Sequence, residues 1–284
     1  MKNATLSMVL LCFYIFEPAF AKVEAVLGPI PLQQNVNLAV TPTFSAENEI
    51  LISRDQYVIS YNRNRRSLNW VAWKLEAKNI GSVQRTNNFA KDADLDKYLA
   101  RVGGGAAVDS NEYQGSCFDR GHQIPSKDRT DSVENNDQTF LMSNMIPQTP
   151  FLNRVIWEHL EQHTRDLVQT QHKKIYVIAG PVYDQNFGYI GPHKDIPVPS
   201  KDFKILVVLN SNQTPADITA KTEVISVLMP NVLQDGSMPK PDSKDCLGFN
   251  LLGVGTSNDW EKYKTTVGEI ESLSGITFGR IHFH

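Results

Sequence analysis

The chain has 284 residues, 41% of them hydrophobic, with 31 acidic and 28 basic side chains and a formal net charge of −3. That length and apolar content suit one large domain or two small ones around a real core. The mild acidity excludes a globally basic polyanion binder, so any nucleic-acid binding must come from locally clustered cations.

Met1-Lys2-Asn3 is a short positive start, Ala4 to Phe16 is almost wholly apolar, and Pro18-Ala19-Phe20-Ala21 places small residues before a cut after Ala21. Residues 1–21 read as a secretory signal peptide, since the apolar run is too short to span a bilayer; an uncleaved interfacial anchor is the alternative. A lipoprotein signal is disfavoured because Leu11 stands before Cys12, where a small residue is expected. The expected mature protein is exported, secreted or periplasmic, with no membrane association once the signal is removed. Cys117 and Cys246 remain after processing. They form either one disulfide or two separate buried thiols, and their number excludes a CxxC-type metal site.

Residues 22–49 are rich in Pro, Asn and Gln without a sustained period and read as an extended arm laid over a domain spanning 50–284. Gln56 to Tyr61 and Asn69 to Leu75 are predicted strands joined by the polar turn Asn62 to Ser67, a hairpin. Asp92 to Leu99 is a short helix, and Val102-Gly103-Gly104-Gly105 a flexible break. Thr139 to Met142 reads as a short apolar strand. Thr149 at the N-cap and Pro150 at the first helical position open a helix running to about Thr170. Lys174 to Gly180, Phe203 to Leu209 and Val224 to Met229 read as buried strands, and Thr265 to Leu273 as a helix ended by Gly275. Strands and helices mix without strict βαβ alternation, so the expected fold is α+β, a mainly antiparallel central sheet flanked by helices. There is no internal repeat and no linker that would force a second domain.

The chemistry concentrates in residues 117–129, CFDRGHQIPSKDR, and in the helix after Pro150. His122 has an ordinary pKa near 6.5, which suits it to take a proton from water. Asn153, Trp157 and Glu161 fall at i, i+4 and i+8, within about 80° on a regular helix. Read alone, this is a helix with a half-exposed polar edge. Together with His122, the asparagine offers a neutral oxygen to a hard cation such as Mg²⁺, and Glu161 can hold the cation's waters. Arg120 and Arg85 can meet phosphate charge. A base, a cation site and arginines describe phosphodiester hydrolysis better than peptide or glycoside hydrolysis. His159 and His163, in HLEQH, share the i, i+4 spacing of a zinc site. Leu160, however, stands where the zinc-protease signature needs glutamate, so surface histidines are the expectation.

Asp119-Arg120-Gly121-His122, the segment Phe140 to Pro150, Asn153-Arg154 and Trp157 to Glu161 together resemble the DNA/RNA non-specific endonucleases, a ββα-metal (His-Me finger) family. Trp70 to Lys74, Arg85 to Phe89, Ile178 to Pro181 and Tyr263 to Phe278 extend the resemblance over roughly Ile50 to Phe278. It implies a sugar-non-specific endonuclease cutting single- and double-stranded DNA and RNA with one Mg²⁺, Mn²⁺ being a substitute, and leaving 5′-phosphate and 3′-hydroxyl ends. His122 would be the general base and Asn153 the direct metal ligand. Glu161 would bind the metal's waters, and Arg85 the phosphate. Arg120 and Asn144 would support substrate and site geometry, and Asp119 would orient its neighbours. The resemblance admits a protein inhibitor as a partner and either a monomer or a homodimer. Phe140 departs from the asparagine that some relatives carry there, and stays outside the expected site. Arg63, Arg65 and Arg66, with Lys127 and Arg129, form either a stripe that tracks a nucleic-acid backbone or merely solvated loops.

Overall fold

Three strands carry apolar side chains on both faces, and this sets the layers. The computed structural model describes residues 25–28, 30–44, 49–238 and 255–282. Its strands are β1 (Val26–Leu27), β2 (Glu49–Ser53), β3 (Val58–Asn62), β4 (Ser67–Leu75), β5 (Asp119–His122), β6 (Met145–Gln148), β7 (Lys173–Val182), β8 (Tyr189–Ile190), β9 (Ile196–Pro197), β10 (Lys201–Asn210) and β11 (Glu223–Pro230). Its α-helices are α1 (Ala93–Val102), α2 (Val133–Gln138), α3 (Trp157–Gln169) and α4 (Val267–Ser274). Among the described residues, the main sheet runs β1-β2-β3-β4-β7-β10-β11. Every neighbouring pair in it is antiparallel. The fold is α+β.

Alternation along the central strands feeds two cores. Val71, Trp73 and Leu75 of β4, Ile175, Val177 and Ala179 of β7, and Leu206 and Val208 of β10 join Leu152, Trp157 and Leu160 on one face. Trp70, Tyr176, Ile178, Phe203, Ile205 and Val207 point the other way, against Leu38, Ala39 and Val40 of the arm and Val267 and Ile270 of α4. Leu38, Ala39 and Val40 thus pack against this face of the sheet. The arm pairs as β1 on the edge of β2, and Thr43 bridges Thr277 near the C-terminus.

The caps follow the sequence. The Asp92 carboxylate accepts from the Leu95 N–H, and Gly103 closes α1 in the left-handed region at φ 67°. Thr266 caps α4, and Gly275 ends it. β2 is an element that pattern reading missed. Its five residues, EILIS, alternate only half-buried and buried positions, a weak signal beside the longer runs. The predicted strand at Thr139 to Met142 does not form. Thr139 ends α2 and Leu141 makes an isolated bridge to Ala90. Met142–Asn144 is a 3₁₀ turn, and the strand begins only at Met145. Cys117 is buried and disulfide-bonded. The suggested partner, Cys246, and the signal segment 1–21 lie outside the described residues.

Candidate active site

The DRGH strand, β5, pairs with β6 in the register Asp119↔Gln148, Arg120↔Pro147, Gly121↔Ile146 and His122↔Met145. Gly121 stands where no side chain fits, because a Cβ there would lie 2.2 Å from Gln148 Oε1. Gln148 is wholly buried and donates through Nε2 to Asp202 Oδ2 at 2.6 Å. Gly121→Ala is therefore expected to overpack the hairpin and destabilise the protein by about 1–3 kcal/mol, a loss that urea unfolding against wild type would measure.

At the end of β5 the chain is clamped by Asn144. Its Oδ1 accepts from the Ile124 N–H at 3.0 Å, and its Nδ2 donates to the carbonyls of Ile124 and Thr139 at 3.0 and 2.8 Å. Every polar atom of this buried amide serves the backbone. Asn144 thus holds the loop after His122 and is not among the residues lining the cleft.

The helix after Pro150 is less regular than expected. Thr149 Oγ1 accepts from the Leu152 N–H, as an N-cap should, at 3.2 Å. Leu152–Ile156 then forms a π turn, closed by the Trp157 N–H bonding to the Leu152 carbonyl. This wider turn holds one more residue than an α-turn and breaks the i, i+4, i+8 stripe. Trp157 goes into the core, 1% exposed, and its Nε1 donates to the His122 carbonyl at 3.2 Å. Asn153, Arg154, Glu158 and Glu161 face the cleft instead.

That cleft, about 620 Å³, brings together His122, Arg85, Arg120, Asp119, Asn153 and Glu161. Tyr113, Phe118 and Phe89 line it further. His122 is 7% exposed and packs edge-on against Phe89 and Phe140, at ring-centre distances of 5.4 and 4.9 Å. Burial, then the Arg85 charge, lower its pKa from 6.5 to about 3, while a hydrogen bond to the Arg120 backbone works the other way. The imidazole is neutral at physiological pH, and its Nε2 is buried without a partner. The lone pair is therefore unshared, although burial and the Arg85 charge disfavour its protonation in this state.

Asn153 Nδ2 donates to Asp119 Oδ2 at 2.9 Å, which leaves its carbonyl oxygen for the cleft. Arg154 grips the same carboxylate at 2.7 and 2.6 Å. Asp119 therefore orients the asparagine, and its ion-pair partner is Arg154 rather than Arg120. Glu161 is buried, which pushes its pKa up, while Lys204 and Arg165 pull it back. Among the described residues no group of three or more His, Cys, Asp or Glu could hold a metal. Asp119 and Glu158 in the cleft are tied to Arg154 and Lys127, which leaves the Asn153 amide oxygen and the Glu161 carboxylate as its oxygen donors. Such a set suits a hard cation that keeps most of its water.

Arg85 hydrogen-bonds Asn87 and Ser126, each at 2.8 Å, and lies 4.7 Å from the Phe140 ring centre. Arg120 donates to Ser110 at 2.6 Å and sits 3.8 Å from the Phe89 ring centre. Neither is paired with a carboxylate among the described residues, so both charges remain available to an anion. Phe140, the departure noted above, is thus the floor under Arg85 and His122.

Of the wider basic stripe, Lys127 lines the cleft beside Glu158, while Arg65, Arg66 and Arg129 are engaged elsewhere. Arg129 is 2% exposed and donates to the backbone carbonyls of Gln56, Lys74 and Asp128. Arg66 is bound to Glu112 and Asp195, and Arg65 lies over the Tyr183 ring. The HLEQH histidines are partly exposed and do not line the cleft. His159 is half-buried against Asp259 at 2.9 Å, and His163 packs on Trp260. Sequence reasoning assigned no role to Arg154, Glu158 or Lys204. Arg154 was visible beside Asn153, whereas Lys204 sat hidden in an apolar run.

The family model for "DNA/RNA non-specific endonuclease" matches residues 35–280. A nuclease of Nostoc sp. is 39% identical over 241 residues, covering 84% of this chain and 76% of its own. Human mitochondrial endonuclease G is 27% identical over 240 residues, covering 80% and 69%. Among solved structures, EndoG in the EndoG/EndoGI complex shares the fold, with a TM-score of 0.60 at 24% identity over 80% of this chain and 84% of that one. The chain belongs to the DNA/RNA non-specific endonuclease family.

Proposed function

We propose that this cleft hydrolyses phosphodiester bonds of DNA and RNA, single- and double-stranded, without reading sequence, and leaves 5′-phosphate and 3′-hydroxyl ends. The observation that carries the reading is His122. A neutral imidazole whose buried Nε2 carries no hydrogen bond lines a cleft where, among the described residues, two arginines lack carboxylate partners. His122 takes the proton of the attacking water. Arg85 and Arg120 meet the phosphate oxygens and stabilise charge as it builds. Guanidinium contacts to phosphate are blind to base identity, so binding should be salt-sensitive and sequence-independent.

Asn153, through its amide oxygen, and Glu161, through that cation's waters, would hold Mg²⁺, with Mn²⁺ as substitute; when bound, the ion supplies Lewis-acid stabilisation to the phosphate and the leaving 3′-oxygen. Asp119 and Arg154 keep the asparagine turned toward it. Export after removal of residues 1–21, to the medium or periplasm, belongs to the same reading, as does a single catalytic domain over 50–284. The bonded state of Cys117 agrees with an oxidising compartment. Among the described residues no helix is long and apolar enough to cross a membrane. A protein inhibitor of this cleft and a monomer or homodimer complete the proposal.

Purified protein is expected to degrade both plasmid and RNA in Mg²⁺, to stop in EDTA, and to keep at least about half its rate in His159→Ala, a change outside the cleft. Binding without cleavage in Mg²⁺ or Mn²⁺ would instead identify a silent nucleic-acid-binding relative. Loss of activity in His159→Ala, with His122→Ala unaffected, would point to a zinc hydrolase built on HLEQH.

A further inference from the structure

Lys204 interrupts the inner face of β10, where Leu206 and Val208 otherwise supply apolar packing. It is 1% exposed, and its Nζ has no hydrogen-bond partner. A buried ammonium in that state is costly, and a methionine would fill the same space without the charge. Besides a longer contact with the Trp73 ring at 5.9 Å, the cation makes two close contacts that lead to the cleft. It lies 3.6 Å from Glu161 Oε1 and 3.9 Å from the ring centre of Trp157. The Trp157 indole in turn donates to the His122 carbonyl.

Glu161 has no other ion-pair partner among the described residues. Arg165, the next cation, is shared between Asp128 at 3.4 Å and Glu158 at 3.7 Å. Lys204 is thus the near charge that holds this buried carboxylate turned toward the cleft. The same ammonium lies over the π-face of Trp157, an attractive contact that fixes the indole under His122.

We propose that Lys204 is a positioning residue. From beneath the cleft floor it holds the Glu161 carboxylate for the cation's waters and seats the indole that supports His122. This rests on the role given above to Glu161.

The test uses Mn²⁺ alone as the probe, its binding to the full chain measured by electron paramagnetic resonance, alongside steady-state cleavage. Lys204→Met should weaken Mn²⁺ binding by about 10–100-fold, as outer-shell losses at metal sites do. It should lower kcat by a similar factor and leave KM for DNA unchanged. In Mn²⁺ binding, Lys204→Met with Glu161→Gln should match Glu161→Gln alone, because the lysine acts on the cation through the carboxylate. If Lys204→Met fails to fold, the double variant, which leaves no unpaired buried charge, carries the comparison with Glu161→Gln.

The proposal is overturned if Lys204→Met binds Mn²⁺ as wild type does and merely melts earlier. It is also overturned if the double variant binds more weakly than Glu161→Gln. Wild type that binds no Mn²⁺ would overturn the cation reading itself, an outcome distinct from wild-type binding that Lys204→Met leaves unchanged.

Discussion

His122→Ala should lower kcat by about 10²–10⁴-fold, the range that general base catalysis supplies, while the protein still folds and binds nucleic acid. The imidazole makes no hydrogen bond through Nε2, so its removal leaves no partner stranded there. The contacts that remain, Asn144 to Ile124 and Trp157 to the His122 carbonyl, are to backbone and survive the truncation. Catalysis and binding should therefore separate cleanly in a cleavage assay run beside a gel-shift titration. Residual activity within tenfold of wild type would remove His122 from the role of base.

Acid stability offers a second reading of the same variant. The folded pKa of His122, about 3, lies below its ordinary value of 6.5. Between those values the unfolded chain binds the proton and the folded chain does not. The histidine's contribution is thus fully present above about pH 6.5 and is lost as pH falls toward 3. Thermal melts of His122→Ala should lose less stability over that window than wild type. Likewise, protonation of this base should not curtail activity at the ordinary histidine pKa.

Asn153→Ala should cost about 10²–10³-fold in kcat, comparable to losing one strong electrostatic contact in the transition state, and should raise the Mg²⁺ concentration needed for half-maximal rate. The variant removes the amide oxygen from the cleft and one of the groups bound to Asp119. Asn153→Asp is the sharper test. A carboxylate binds hard cations better than an amide does, so ligand chemistry alone would predict a gain. Here the position lies 2.9 Å from Asp119 Oδ2, and two carboxylates would repel. Asn153→Asp should therefore stay impaired in a Mg²⁺ titration of cleavage. Equal or better performance than wild type would show that the Asp119 contact does not govern the site.

Much of this was legible in the residues. Buried strands announced themselves as apolar runs, and Thr149-Pro150 marked the helix start because cap chemistry is local. DRGH and Asn153 were legible because a base and a hard-ligand oxygen must be particular side chains. What escaped depended on tertiary context. A run such as Thr139 to Met142 reads as a strand by composition, yet the Asn144 amide claims the Thr139 carbonyl and the chain turns. Arg129 looked like a surface charge because nothing local shows three backbone carbonyls waiting for it. Lys204 passed as one more residue of the run Phe203 to Leu209 because its partners lie far away on α3.

The π turn at Leu152–Ile156 also bears on how such a protein is copied or redesigned. A helix drawn from an ideal library would omit the extra residue and gain a smoother backbone. Every residue before the deletion would then rotate by roughly 100° relative to Glu158 and Glu161. Circular dichroism would report an intact helix, while Asn153 would no longer face the cleft. In sequence terms, deleting one position in this turn is expected to disarm the site although every site residue is still encoded.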